Sequence, residues 1–181
     1  MRYFILIFAL FFTACTTKQS SFILPTPNQI SVASIKTQVG VKKIELPEYL
    51  DSDKILVKNG YKLESIEADF ATDASNLFTQ KAITAFKRAL NDPNVFLYPW
   101  DVDKKRGYIV EIKIDDYLYN KGEGVVNLNG TYYIKDAKNR VIASKNFNYS
   151  KESSSDVNSI VMSLNELFDN LIIEISQKIA R

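Results

Sequence analysis

The chain has 181 residues, of which 46% are hydrophobic and 24% charged, a composition that suits one folded domain and excludes a collagen-like or disordered chain. Lys and Arg number 23 against 21 Asp and Glu, and the formal charge of +2 is too weak a field to draw the chain onto nucleic acid or acidic lipid. With no histidine and one cysteine, Ser-His-Asp and Cys-His catalysis, zinc sites built on His or several Cys, and an internal disulfide are all excluded.

Residues Met1 to Cys15 carry one positive charge at Arg2, an apolar run from Tyr3 to Phe12, and small residues Thr13 and Ala14 before the cysteine. This is the layout of a secretory signal peptide. Polar Thr16, Thr17, Lys18 and Gln19 follow, so the run falls short of the roughly 20 apolar residues that a spanning helix needs. Phe12-Thr13-Ala14-Cys15 resembles a bacterial lipobox, with Phe12 where leucine is usual, and the resemblance implies cleavage before Cys15 and acyl chains on its sulfur. The alternative is an ordinary signal peptide with a coincidental cysteine, but the only cysteine falls at the one position that lipidation requires. Two or three acyl chains, at about 0.8 kcal/mol per buried CH2, would make anchoring effectively permanent. Loss of residues 1–14 removes one arginine and leaves the mature chain near neutral. Residues 15–21 then read as a lipidated tether, and 22–181 as one domain.

Along that domain, Phe22-Ile23-Leu24, bounded by Pro25 and Pro27, reads as a short extended segment that the prolines keep at an edge or outside the sheet. Val39, Val41, Ile44 and Leu46 change parity once, as in a strand with a bulge. Lys54 to Lys58 and Tyr61-Lys62-Leu63, joined at Asn59-Gly60, read as a hairpin. From Asp73 to Leu90 the apolar residues Ala74, Leu77, Phe78, Ala82, Ala85, Phe86 and Ala89 form one helical stripe. A strand over Val95 to Tyr98 follows, then a polar loop from Asp101 to Arg106.

Three alternating segments come next, around Tyr108–Ile114, Val126–Ile134 and Val141–Tyr149, connected by turn-forming Asn120 to Gly124 and Asp136 to Asn139. They read as an antiparallel meander. The last segment, Asp156 to Ile179, carries the longest apolar stripe, with Ser153 and Asp156 resembling a capping box. The expected fold is therefore α+β: a mainly antiparallel sheet with two amphipathic helices packed on one face.

Carboxylates are the remaining candidates for acid-base chemistry. Asp115 and Asp116, as strand neighbours, point to opposite faces, and Asp101 with Asp103 lies in a loop followed by three cations that spoil a calcium site. Gly122-Glu123-Gly124 sits between strands rather than at a helix start, so it does not form a phosphate loop. No catalytic, cofactor or metal residue emerges. The aromatic residues are the other enriched feature; Trp100, Tyr117 and Tyr119, placed where strands are expected to end, are candidate partner-contact residues, with core packing as the alternative.

With these elements placed, the chain resembles the ABC-type transport auxiliary lipoproteins, the group that includes paraquat-inducible protein C. The most specific stretch is Leu46-Pro47-Glu48-Tyr49-Leu50-Asp51, which is similar to the family's Leu-Pro-x-Tyr-Leu-Asp and is followed by apolar Ile55-Leu56-Val57. Phe70-Ala71 stands where many members have Trp-Ala. The resemblance implies an outer-membrane lipoprotein, facing the periplasm, that works with an ABC transporter and a mammalian-cell-entry (MCE) domain protein moving lipid between membranes. It implies no enzyme activity, no cofactor beyond the acyl chains on Cys15 and no nucleic-acid partner, and a homo-oligomer is compatible with it. A different reading of the same features is a structural or regulatory lipoprotein that assists envelope assembly or cell-wall synthesis. Cys15→Ser is expected to abolish fatty-acid labelling and to block processing at that position; labelling that persists in the variant would refute the lipobox.

Overall fold

Alternation with period two and apolar stripes at spacings of three and four account for most elements of the chain. The computed structural model describes residues 20–26, 32–35, 37–91, 94–99 and 107–181. Its strands are β1 (Ser20–Phe22), β2 (Val39–Lys42), β3 (Lys54–Asn59), β4 (Lys62–Phe70), β5 (Val95–Tyr98), β6 (Tyr108–Asp116), β7 (Tyr119–Asn120), β8 (Val125–Lys135) and β9 (Val141–Glu152). The helices are α1 (Ala74–Ala89) and α2 (Val157–Ile179), and Glu48–Leu50 forms a 3-10 turn. The α+β class expected from the pattern is the class observed.

All nine strands join one mixed sheet whose spine is β8. One edge of β8 pairs antiparallel with β9 along its whole length; the other takes β6 and then β7, in an arm interrupted by a bulge between Ile114 and Asp116. Before the bulge, β6 pairs parallel with β2, and β2 with β5. Beyond it, β7 pairs parallel with β3, which continues to β4 and β1. The sheet thus has two wings on one central hairpin. The antiparallel meander is present, and the parallel pairs joining the wings to it were not foreseen, because they depend on contacts between distant segments.

Gly130 stands opposite the bulge, paired with Ile114 and with Phe147. A Cβ there would lie 2.0 Å from the Lys113 carbonyl oxygen and 2.9 Å from Phe147 Cζ, so only glycine lets the three strands approach. The parity change expected after Val41 is also real: β2 stops at Lys42, and pairing resumes with a bridge from Glu45 to Lys113, one residue out of register.

Both helices pack on the same side of the sheet, where Phe78 and Phe168 meet with ring centroids 5.0 Å apart. Glu174 of α2 accepts hydrogen bonds from the Tyr132 and Tyr149 hydroxyls at 2.8 and 2.7 Å, fastening the helix to β8 and β9. Lys81 of α1, its side chain 1% exposed, meets Asp169 of α2 at 2.7 Å and donates to the Pro25 carbonyl oxygen. Burial pushes the lysine pKa down and the aspartate pKa up. The pair therefore adds specificity of docking more than net stability.

Local boundaries differ in three places. Asn59 pairs with Lys62, so Gly60 and Tyr61 make the hairpin turn, with Gly60 at φ +60°. The cap of α2 is Asp156, whose carboxylate accepts from the Ser159 amide at 3.0 Å, one turn beyond the expected Ser153. Ser20 and Ser21, assigned to the tether by their polarity, pair with Ala68 and Asp69 in β1.

Leu164 is 2% exposed and Met162, on the same helix, 69% exposed. Leu164→Asp should remove the cooperative melt of a domain beginning at Lys18, since a core carboxylate costs several kcal/mol, whereas Met162→Asp should change stability by less than about 0.5 kcal/mol. A normal melt for the first variant would mean that the stripe is not the core.

Candidate functional site

The Leu46–Asp51 segment ties the two wings to the helix layer. Pro47 starts its tight turn, the Leu50 amide donating to the Pro47 carbonyl at 2.9 Å, and this buries Leu50 completely. The Asp51 carboxylate accepts the Ser75 amide at 3.0 Å, and the Ser52 carbonyl takes that of Ala74, so the first turn of α1 is capped from outside the helix. Asp73, the local cap residue, makes no side-chain cap bond. The Leu50 carbonyl in turn accepts the Tyr117 hydroxyl at 2.7 Å. Tyr49 is left with its ring in solvent.

Two clefts flank this segment. One, of about 540 Å³, is lined by Lys42, Lys43, Ile44, Glu45, Asp51 and Tyr98. Its floor is set by the interrupted β2: the Ile44 amide donates to Thr79 Oγ1 at 2.9 Å, and that hydroxyl donates to the Ser75 carbonyl. The other, of about 310 Å³, lies between Tyr49, Tyr61, Leu63, Leu118 and the carboxylates of Asp115 and Asp116. Asp116 accepts the Leu118 amide at 2.9 Å, and burial pushes its pKa up. Asp115 is exposed. β6 ends at Asp116, so the two carboxylates do not stay on opposite faces of a continuing strand as expected: both line this one cleft.

On the sheet face away from the helices, Glu111 collects cations. Lys135 and Lys42 reach its Oε2 at 2.7 and 2.9 Å, and Lys113 bridges to Glu45 at 2.9 Å. Burial acts to raise the Glu111 pKa, but the hydrogen bonds from Lys135 and Lys42 outweigh it and lower the value to about 2. Lys113 is raised by its bond to Glu45. This lattice locks β2, β6 and β8 together. Among the described residues no group of three or more acidic or sulfur ligands is placed to hold a metal, and no helix is long and apolar enough to cross a membrane.

Of the residues expected to contact a partner, Tyr117 and Tyr119 are 3% and 5% exposed and belong to the core. The bulge is the reason: before it Val110, Ile112 and Ile114 face inward, and one extra residue transfers inward parity to 117 and 119. Tyr117 packs edge-on against Phe78 at 5.2 Å, and burial raises its phenol pKa. Trp100 and Cys15 lie outside the described residues, as do Asp101 and Asp103. The aromatic rings that do face solvent beside a cleft, Tyr49 and Tyr61, were not selected from sequence. Their signals were available: one is the aromatic member of the Leu-Pro-x-Tyr-Leu-Asp stretch, the other follows an Asn-Gly turn.

Residues 22–176 match the family described as ABC-type transport auxiliary lipoprotein component. The chain belongs to this family. Solved structures agree with its fold. A Xanthomonas campestris protein of the DUF330 family is 18% identical with a TM-score of 0.67, over 90% of this chain and 92% of that one. The crystal structure of an uncharacterized protein is 14% identical with a TM-score of 0.73, over 89% and 98%. PelC from Paraburkholderia phytofirmans, solved as a dodecamer, is 14% identical with a TM-score of 0.50, over 86% and 94%. No curated protein matches the chain. For this auxiliary lipoprotein, membrane association comes with the family, and the matched region runs from the end of β1 almost to the end of α2.

The folded-state pKa of Glu111 lies below its ordinary value of 4.5, so its contribution to stability is complete above that value and is lost as pH falls towards about 2. In denaturant titrations the native auxiliary lipoprotein should lose on the order of 3 kcal/mol over this window from Glu111. Glu111→Gln should show a shallower acid dependence there, with its deficit largest at neutral pH. An unchanged acid slope in the variant would remove Glu111 as the source.

Proposed function

We propose that this auxiliary lipoprotein is acylated on Cys15, anchored in the outer membrane with its domain in the periplasm, and acts without catalysis of its own. Its partner in this reading is the periplasmic MCE-domain protein of an ABC transport system that carries lipid between membranes. The observation that carries the reading is the family match over residues 22–176, since the family is defined as an auxiliary component of ABC-type transport. Thr16 after the cysteine, where aspartate commonly signals inner-membrane retention, supports the outer membrane.

The partner contact uses exposed apolar and aromatic surface more than charge, because the mature chain is near neutral. The cleft of Lys42 to Leu46, Tyr98 and Pro99 supports that kind of contact. Trp100 follows Pro99 in sequence and remains in the proposal.

The tether-free domain, mixed with an MCE-domain protein from the same organism, should associate in sedimentation or calorimetry, with little change between low and high salt. The same sedimentation run reads whether the chain self-associates, as the Paraburkholderia protein does. No association, even with the anchor restored in a bilayer, would refute the MCE reading; a partner from cell-wall synthesis would install the regulatory reading in its place.

A further inference from the structure

The tip of the β3–β4 hairpin carries more exposed apolar surface than its length requires. Tyr61 is fully exposed, Leu63 is 44% exposed, and Tyr49 projects beside them across the smaller cleft. Lys58 and Lys62 border the same cleft. Glu64 is held by Lys121 at 2.5 Å and by Asn59 at 2.8 Å; of the two carboxylates that also line the cleft, Asp116 accepts the Leu118 amide and Asp115 is exposed, so the two lysines face two acids there. Large amphipathic rings flanked by lysines are the composition of side chains that settle at the boundary between headgroups and acyl chains, the ring entering and the ammonium remaining wet.

Strand direction places the lipid anchor on the same side. β1 runs parallel to β4, with Ser20 opposite Ala68 and Phe22 opposite Phe70. β4 itself runs away from the hairpin tip, so the chain enters β1 from the tip side. Ala68 lies about 20 Å along β4 from Lys62, and the chain from Cys15 to Ser20 spans at most roughly 17 Å. Even fully extended, an acylated Cys15 therefore stops about 3 Å short of the level of Lys62, and a bilayer holding its acyl chains lies within range of that tip. The turn after β7 shares this end, because β7 is parallel to β3 and the Lys121 amide donates to the Lys58 carbonyl at 2.9 Å.

The geometry points to a phospholipid bilayer as the occupant of this surface: Tyr61 and Leu63 seat in the membrane that holds the acyl chains, with Tyr49, Lys58 and Lys62 at its interface. This rests on the acylation of Cys15. Its consequence is a fixed orientation. The β3–β4 tip faces the membrane, and the Asp136–Asn139 turn, at the far end of β8, faces the periplasm.

The test uses the full-length acylated protein, whose only native cysteine is blocked by the anchor, so that Tyr61→Cys supplies the single thiol for a nitrobenzoxadiazole label. Lys138→Cys supplies the control at the opposite end. Both are reconstituted in vesicles of phosphatidylethanolamine and phosphatidylglycerol with or without lipids bearing a shallow nitroxide, and flotation is read on the same samples. The label at 61 should shift to the blue and lose intensity to the nitroxide, and the label at 138 should do neither. Flotation with a water-exposed label at 61 would overturn the docking while leaving the anchor intact, and failure to float would overturn both. A blue-shifted label insensitive to the lipid nitroxide would place a second copy of the chain on the tip and overturn the bilayer as its occupant.

Discussion

The fold depends on one extra residue in the arm that pairs with β8. A nine-stranded sheet in which a single arm continued straight would place all its neighbours along one line. The bulge at Asp115 instead turns the arm, hands β6 to β2 and β7 to β3, and reverses which side chains face the helices. Gly130 makes this possible from the opposite strand, because a side chain there would collide with the backbone of Lys113. Phe147 covers the bare glycine, restoring apolar contact where the missing side chain would have left a gap.

The second constraint is the closure of α1 by residues outside it. A helix N-terminus leaves amides without partners, and here Asp51 and Ser52 supply acceptors from a turn more than twenty residues earlier. The same turn buries Leu50 and receives the hydroxyl of Tyr117. Helix, turn and bulge are thus mutually dependent, which is a physical reason for a specific Leu-Pro-x-Tyr-Leu-Asp spelling: proline for the turn, leucine for the core, aspartate for the cap. The tyrosine has no such role. Its ring is exposed beside the smaller cleft and is available for contact.

Ion pairs are distributed to fix geometry. The buried Lys81–Asp169 pair aligns the two helices and holds the N-terminal segment through Pro25, and Glu111 gathers three strands on the opposite face. The path from β1 through Leu24 and the Val32–Ile35 backbone, which bonds to the C-terminal end of α1, runs alongside β4–α1–β5 and pairs parallel with both its strands. The first described segment of the chain is therefore built into the sheet through β4.

Local pattern by itself determined the helices, the meander, the β3–β4 hairpin and the break in β2, because each is written in the spacing of apolar residues a few positions apart. The lone cysteine behind an apolar run and the Leu46–Asp51 spelling pointed to the family for the same reason: both are contiguous. Local pattern failed at Tyr117 and Tyr119, since their inward direction depends on a bulge whose position is set by Gly130, on another strand. It failed likewise at Ser20 and Ser21, whose strand has no apolar period and exists only because the edge of β4 is there to pair with. Which aromatic rings reach solvent and how two wings share one spine were decided by tertiary pairing, because each depends on partners tens of residues apart.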